Sequence, residues 1–135
     1  MKTSHLPIIF LLVLWGVSLT SFLVFQDQKK REPWTIPAEY KTKKMAEASD
    51  ENQGKMLWAV HCKSCHGNVG LGDGPKSANL KTFPGIFKSP EFQSQTDGAI
   101  YYESFIGRGE MPNFEKKIPD EEDRWNIVSY IRKLK

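Results

Sequence analysis

The chain has 135 residues, 39% hydrophobic and 26% charged, which is enough for one small domain with its own core and too little for two. With 19 basic and 16 acidic residues the formal net charge is only +3, and the lack of a concentrated basic block excludes nucleic acid as a partner. The two cysteines stand three positions apart. A bridge closing so short a loop would constrain little of the unfolded chain, so a disulfide framework is excluded too.

From Leu6 to Phe25 runs LPIIFLLVLWGVSLTSFLVF, a stretch without a charge. As a helix it would rise about 30 Å, roughly the hydrocarbon thickness of a bilayer. Residues 1–25 are therefore read as an N-terminal membrane anchor, a single transmembrane helix through residues 6–25. A cleaved secretory signal is the alternative, with Lys2 as its basic start and Gly16, Ser18 or Thr20 as small residues near a cleavage point. The apolar run continues through Phe22, Leu23, Val24 and Phe25 past those residues. Flanking charge argues against an outward domain: Lys29, Lys30 and Arg31 outweigh Lys2, which by the positive-inside rule leaves the C-terminal part in the cytoplasm. Asp27 and Glu32 interleave that cluster, and the chemistry read below needs the opposite side.

Residues 26–49, QDQKKREPWTIPAEYKTKKMAEAS, are charged, carry Pro33 and Pro37, and show no helical apolar stripe before Met45. The stretch reads as a tether. Trp34 and Tyr40 are its only aromatics, suited to headgroups or to the flank of the following domain; docking on a partner subunit is the other reading.

Residues 50–135 read as helical. Ser49 or Asp50 can cap a first helix running through Met56, Leu57, Trp58 and Val60. It leads into CKSCH, Cys62 to His66, where both cysteines and two of the three histidines fall between residues 61 and 66. Nothing from Gly67 to Gln95 alternates like a strand, and the glycines and prolines there mark a long loop. Thr96 or Asp97 can cap a second helix with Ile100, Tyr101 and Phe105 at helical spacing, ended by Gly107. A third begins after Asp120 with acidic residues and ends in lysines, as the helix dipole favours. Its Trp125, Ile127, Val128, Tyr130 and Ile131 form a wide apolar face. A domain this small with so long a loop is short of core, and something else must fill its middle.

CKSCH suggests what that is. Residues three apart near a helix end share one face, so Cys62 and Cys65 can both reach the edge of one flat ligand with His66 aimed at its centre. This is the attachment signature of a c-type haem. A zinc site needs four ligands, and beyond Cys62, Cys65 and His66 only His61 and His5 remain. A thioredoxin-like dithiol needs a βαβ setting and a helix starting at the first cysteine, whereas here the helix ends there. In GRGEMPNF, Gly107 to Phe114, Met111 lies on a glycine-rich turn stiffened by Pro112, where a loop can carry a thioether to the iron. Met111 is thus read as the second axial ligand, by the His/Met precedent of cytochromes c. Met56, within the first helix, and Met45, in the tether, read as core filling.

With these motifs in this order, residues 50 to 135 resemble the monohaem class I cytochrome c family. A glycine and an aromatic four apart on the first helix, Gly54 and Trp58, and an apolar residue and tyrosine three apart on the last, Ile127 and Tyr130, match the helix pair that crosses in that family. GDGP, Gly72 to Pro75, looks like the corresponding segment of membrane-bound bacterial relatives. The family's loop proline, whose carbonyl accepts a hydrogen bond from the ligating imidazole, has two competing matches here, Pro75 and Pro84, beside Ala78 and Asn79.

The resemblance implies an all-α, cytochrome c-like domain around one covalent haem c, held by Cys62 and Cys65 with His66 and Met111 on the iron. Leu80, Tyr101, Tyr102 and Phe105, with Phe83, Phe87 and Trp125, are the expected pocket walls. The implied function is one-electron transfer with no small-molecule substrate, between a membrane quinol-oxidising complex or dehydrogenase and a terminal acceptor such as an oxidase. Its place is the outer, periplasmic side of a bacterial cytoplasmic membrane. Lysines 63, 76, 81, 88, 116 and 117 could form a docking patch, but Asp73, Glu91, Glu110 and Glu115 make a mixed surface the plainer reading. Two other classes stay open: a five-coordinate haem sensor or catalytic subunit, and a haem-free thiol oxidoreductase.

Overall fold

The computed structural model describes residues 33–45 and 49–134. The anchor expected in residues 1–25 and the first part of the expected tether lie outside these. Among the described residues there is no strand, and no helix is long and apolar enough to cross a membrane. Six α-helices follow in order: α1 (Ala38–Lys41), α2 (Glu51–His61), α3 (Lys63–His66), α4 (Pro90–Gln93), α5 (Asp97–Phe105) and α6 (Glu121–Lys133). A 3₁₀ turn, Ser77–Asn79, lies in the long loop.

The caps explain where the longer helices begin. Of the two candidates before α2, Asp50 does the work, accepting from the N–H groups of Asn52 and Gln53 at 2.9 and 3.0 Å. Thr96 accepts from Ala99 N–H ahead of α5, and Asp120 from Glu122 N–H ahead of α6. Helix α6 carries Glu121, Glu122 and Asp123 in its first turn and Arg132 and Lys133 in its last, each sign facing the favourable dipole end. Helix α4 was not expected from the loop's composition. Ser89 caps it and proline takes its first position, where a missing N–H costs nothing.

Helices α2 and α6 form the main crossing. A Cβ on Gly54 would run into the Asn126 carbonyl and come within 3.1 Å of Tyr130 Cβ, so glycine lets the two backbones meet. Asn126 also accepts from Asp50 N–H at 2.8 Å, and Ser49 and Ser129 share a hydrogen bond at 2.6 Å. Trp58 packs its ring 5.9 Å from that of Tyr130. The pairing expected from Gly54, Trp58, Ile127 and Tyr130 is the one the chain adopts. Around it Ile100, Tyr101, Phe105, Trp125, Ile127, Val128 and Ile131 close the core. Arg132 ties α4 and α5 to α6, donating to the Asp97 carboxylate at 2.8 Å and to the carbonyls of Gln93 and Gln95 at 2.7 and 2.5 Å.

The described part of the expected tether lies on the domain. Tyr40 packs against Tyr102 and Tyr101, with centroids 4.8 and 6.3 Å apart, and Trp34 meets the edge of Tyr102 at 6.2 Å. Lys43 pairs with Glu121 at 2.6 Å. Gly98 leaves room for this approach, since a Cβ there would collide with the Tyr40 carbonyl. Of the three sites read for Trp34 and Tyr40, the domain's own flank is the one the structure gives to residues 33–45.

Candidate functional site

Helix α2 ends at His61, and Cys62 starts the single turn of α3 that carries Cys65 and His66. The carbonyls at the end of that turn would lack intrahelical partners, and the glycine-rich loop supplies them. Gly72 N–H donates to His66 O at 2.9 Å, Gly74 N–H to Cys65 O at 3.2 Å, and Lys76 N–H to Ser64 O at 2.8 Å. A Cβ on Gly74 would stand 2.5 Å from Ser64 O and 2.6 Å from Lys63 O, so only glycine lets the GDGP segment lie against the motif. That gives the segment a physical role that its sequence did not disclose.

The His66 ring is buried, with Phe87 at 4.7 Å and Trp58 at 5.8 Å between centroids. Trp58 donates its indole N–H to the Gly67 carbonyl at 3.2 Å, which fixes the exit of α3. Phe87 stacks on Phe92 of α4 at 4.4 Å, and its carbonyl accepts from Gln93 at 2.8 Å. Core, short helix and imidazole are thus one packed unit.

Cys62 and Cys65 are free thiols. Burial, with a smaller contribution from Cys65, pushes the Cys62 thiol up to about 12. Among the described residues no group of three or more His, Cys, Asp or Glu side chains is placed to hold a metal ion.

Met111 sits on a hairpin. Arg108 and Met111 exchange backbone hydrogen bonds at 2.8 and 3.0 Å, with Gly107 at φ 75° and Gly109 at φ 58° in the left-handed region that admits glycine most readily. Phe114 N–H donates to Phe105 O at 2.9 Å, returning the chain to α5. The Glu110 carboxylate accepts from Lys81 N–H at 2.8 and 3.1 Å and from Thr82 N–H at 2.9 Å. Those two amides hold its carboxyl below the usual glutamate range.

Cys62, Cys65, His66 and Met111 all line one cavity of about 740 Å³. Protein interiors are close-packed, with few voids larger than a water molecule, whereas cofactor and ligand sites run to roughly 300–1,000 Å³. Leu80, Phe83, Pro84, Phe87, Phe92 and Phe114 give the wall its apolar part. Lys76, Lys117, Arg108 and Glu110 line it as exposed residues and Glu103 as a buried one, a mixed charge pattern. Two thiols, an imidazole and a thioether around an apolar space of this size fit a haem with two points of attachment and an iron.

The expected wall needs correction at four positions. Leu80, Phe83 and Phe87 line the cavity, but Tyr101, Tyr102, Phe105 and Trp125 do not. Tyr101 is taken up by the core, 4.5 Å from Trp125 and accepting from Arg124 Nε at 2.6 Å. Phe105 packs beside it at 5.0 Å. Tyr102 faces Tyr40 and Trp34 instead. Helical spacing puts Tyr101 and Phe105 on one face of α5, and tertiary packing decided that this face points into the core. Trp34, Phe92 and Phe114 are wall residues that the sequence reading did not place there. Of the two competing prolines, Pro84 lines the cavity and Pro75 is exposed.

No curated protein matches the chain. Residues 49–131 match the family model described as cytochrome C oxidase, cbb3-type, subunit III, a span that runs from the cap of α2 through the cysteine motif and the Met111 hairpin into α6. The chain belongs to this family of class I monohaem c-type cytochromes, and its helical domain is that of an electron-transfer haem protein.

Proposed function

We propose that Cys62 and Cys65 hold one haem c by thioether bonds, that His66 and Met111 are its axial ligands, and that the chain relays single electrons as a carrier without substrate chemistry of its own. The observation that carries this reading is the meeting of these four side chains on one cavity. Bound there, the haem supplies a reversible one-electron iron couple whose potential a thioether ligand raises.

The protein's part is to hold and to insulate. Trp58 and Phe87 fix the plane of the His66 ring, and the Met111 hairpin, latched by Glu110, presents the thioether. Phe83, Phe87, Phe92 and Phe114 exclude water, which lowers the local dielectric and limits the rearrangement that a change of charge demands. With both axial positions taken by side chains, no position is left for a substrate. The family's description as an oxidase subunit supports a terminal oxidase as acceptor, with a quinol-oxidising complex or dehydrogenase as donor. An anchor at residues 6–25 would confine the domain to the outer face of a bacterial cytoplasmic membrane and raise its effective concentration towards membrane partners.

The test is an optical spectrum of the full chain, made in a host with c-type haem maturation and recorded oxidised and reduced, on the parent and on Met111→Ala. The expected result is a c-type reduced spectrum, a weak long-wavelength band of methionine on ferric iron in the parent, and loss of that band in the variant. A haem spectrum lacking the band in the parent would favour a five-coordinate sensor or enzyme. Two cysteines that react with a thiol label in place of any haem would favour the dithiol.

A further inference from the structure

The Met111 hairpin has little to hold it from within. Arg108, Gly109 and Glu110 are exposed, and an isolated two-stranded turn is marginal in water. Two side chains moor it to the rest of the molecule. Glu110 reaches the Lys81 and Thr82 amides on one side. On the other, Arg108 lays its guanidinium 4.2 Å from the centre of the Trp34 ring and donates to the Pro33 carbonyl at 2.9 Å.

That second mooring belongs to a segment outside the family match, which begins at residue 49. Trp34 is itself secured, edge-on to Tyr102 at 6.2 Å, and Tyr102 packs 4.8 Å from Tyr40. Further along, Lys43 pairs with Glu121 and lies over the Tyr101 ring at 4.7 Å. Trp34, Arg108 and Met111 all line the same cavity.

We propose that the segment Pro33–Met45 is a strap that completes the haem pocket, with Trp34 and Arg108 as positioning residues that keep the Met111 thioether on the iron. The proposal rests on the reading of Met111 as axial ligand. A thioether is a weak ligand, so its hold depends on how far its loop is already ordered. Removing the strap lets the hairpin swing away and opens the sixth position to small ligands from solution.

The test uses the haem-loaded full chain and measures exogenous imidazole binding to the ferric form, the methionine–iron band, covalent haem content and the urea midpoint. The cation–π contact that both variants remove, at an exposed site, stands for an energy that converts to a factor of about 2–5. Trp34→Ala and Arg108→Gln are each expected to raise imidazole affinity by about that factor and to weaken the band. Haem content should stay constant, and Trp34→Phe should recover most of the parent's behaviour. Because the two residues act through one contact, the double variant should exceed neither single one by much. If the band is present in the parent and imidazole affinity is unmoved in both variants, the strap is overturned while the carrier reading stands, even if the urea midpoint falls. A parent without the band overturns both. Arg108 is exposed, so Arg108→Gln carries the test alone should Trp34→Ala fail to fold.

Discussion

Gly54 is where α2 and α6 touch, and Gly54→Ala asks whether that close approach governs the crossing. The added methyl group would meet the Asn126 carbonyl, a backbone atom that cannot turn aside, and Tyr130 Cβ at 3.1 Å. The helices must part. Parting stretches the bond from Asp50 N–H to Asn126 Oδ1, now 2.8 Å, and loosens Trp58 from Tyr130. Forcing an extra methyl into a filled core costs roughly 1–3 kcal/mol, and the lost hydrogen bond about 1 kcal/mol. Against that, alanine is a better helix former than glycine by about 0.8–1 kcal/mol. The balance is a destabilisation of about 1–3 kcal/mol, which for a domain of this size lowers the melting temperature by at least ~4 °C. Thermal and urea unfolding of the haem-loaded chain, followed by near-ultraviolet circular dichroism, would measure it. Residue 54 does not line the cavity, so covalent haem content should not change. A midpoint equal to the parent's or above it would mean that helix propensity alone governs the position, and the argument for a close crossing would fail.

Tyr101→Phe should cost about 1.5–3 kcal/mol, the scale of a hydrogen bond to a charged group, because buried Arg124 loses its 2.6 Å acceptor. The methionine–iron band should be unaffected, and a changed band would contradict the placing of Tyr101 in the core. Gly74→Ala pushes the loop off the carbonyls of Lys63 and Ser64 and is expected to lower covalent haem per chain; a parent-like yield would show that the loop does not order the motif. Lys43→Gln tests the pairing with Glu121, whose hydrogen bond holds the Glu121 carboxyl below its usual range and lifts the Lys43 ammonium above its own. The Glu121 part is present above the ordinary glutamate pKa of about 4.3 and is lost as pH falls through the lowered value, while the Lys43 part is present below about 10.4 and is lost as pH rises through the raised one. The variant's deficit in urea midpoint should therefore be small, widest between those limits and absent outside them, and a deficit independent of pH would sink the assignment.

What the sequence disclosed and what it hid divide along a physical line. Cys62, Cys65 and His66 could be singled out in the sequence because the haem attachment proposed for them needs those atoms at fixed spacing along one turn, so that chemistry is written locally. The caps at Asp50, Thr96 and Asp120 were legible for the same reason, since each bonds an amide two or three residues on. Gly54 and Tyr130 were paired through the family resemblance, whose physical sense is that a helix crossing sets a small residue opposite a large one. The hidden features are all contacts between distant loops. Glu110 reads as one charge in a mixed surface until the chain brings it to the amides of Lys81 and Thr82. Arg108 drew no reading from the sequence, and its contacts with Pro33 and Trp34 exist only in the fold. Tyr101 and Phe105 lie on one face of α5 by their spacing, and only the position of α6 turns that face into the core, while the Trp34 and Tyr40 rings take up Tyr102. The ligands themselves are thus encoded locally. On the proposed reading, the hold on Met111 is encoded across distant segments, Pro33 and Trp34 among them, and a Met111–iron bond should respond to substitutions that never touch the haem.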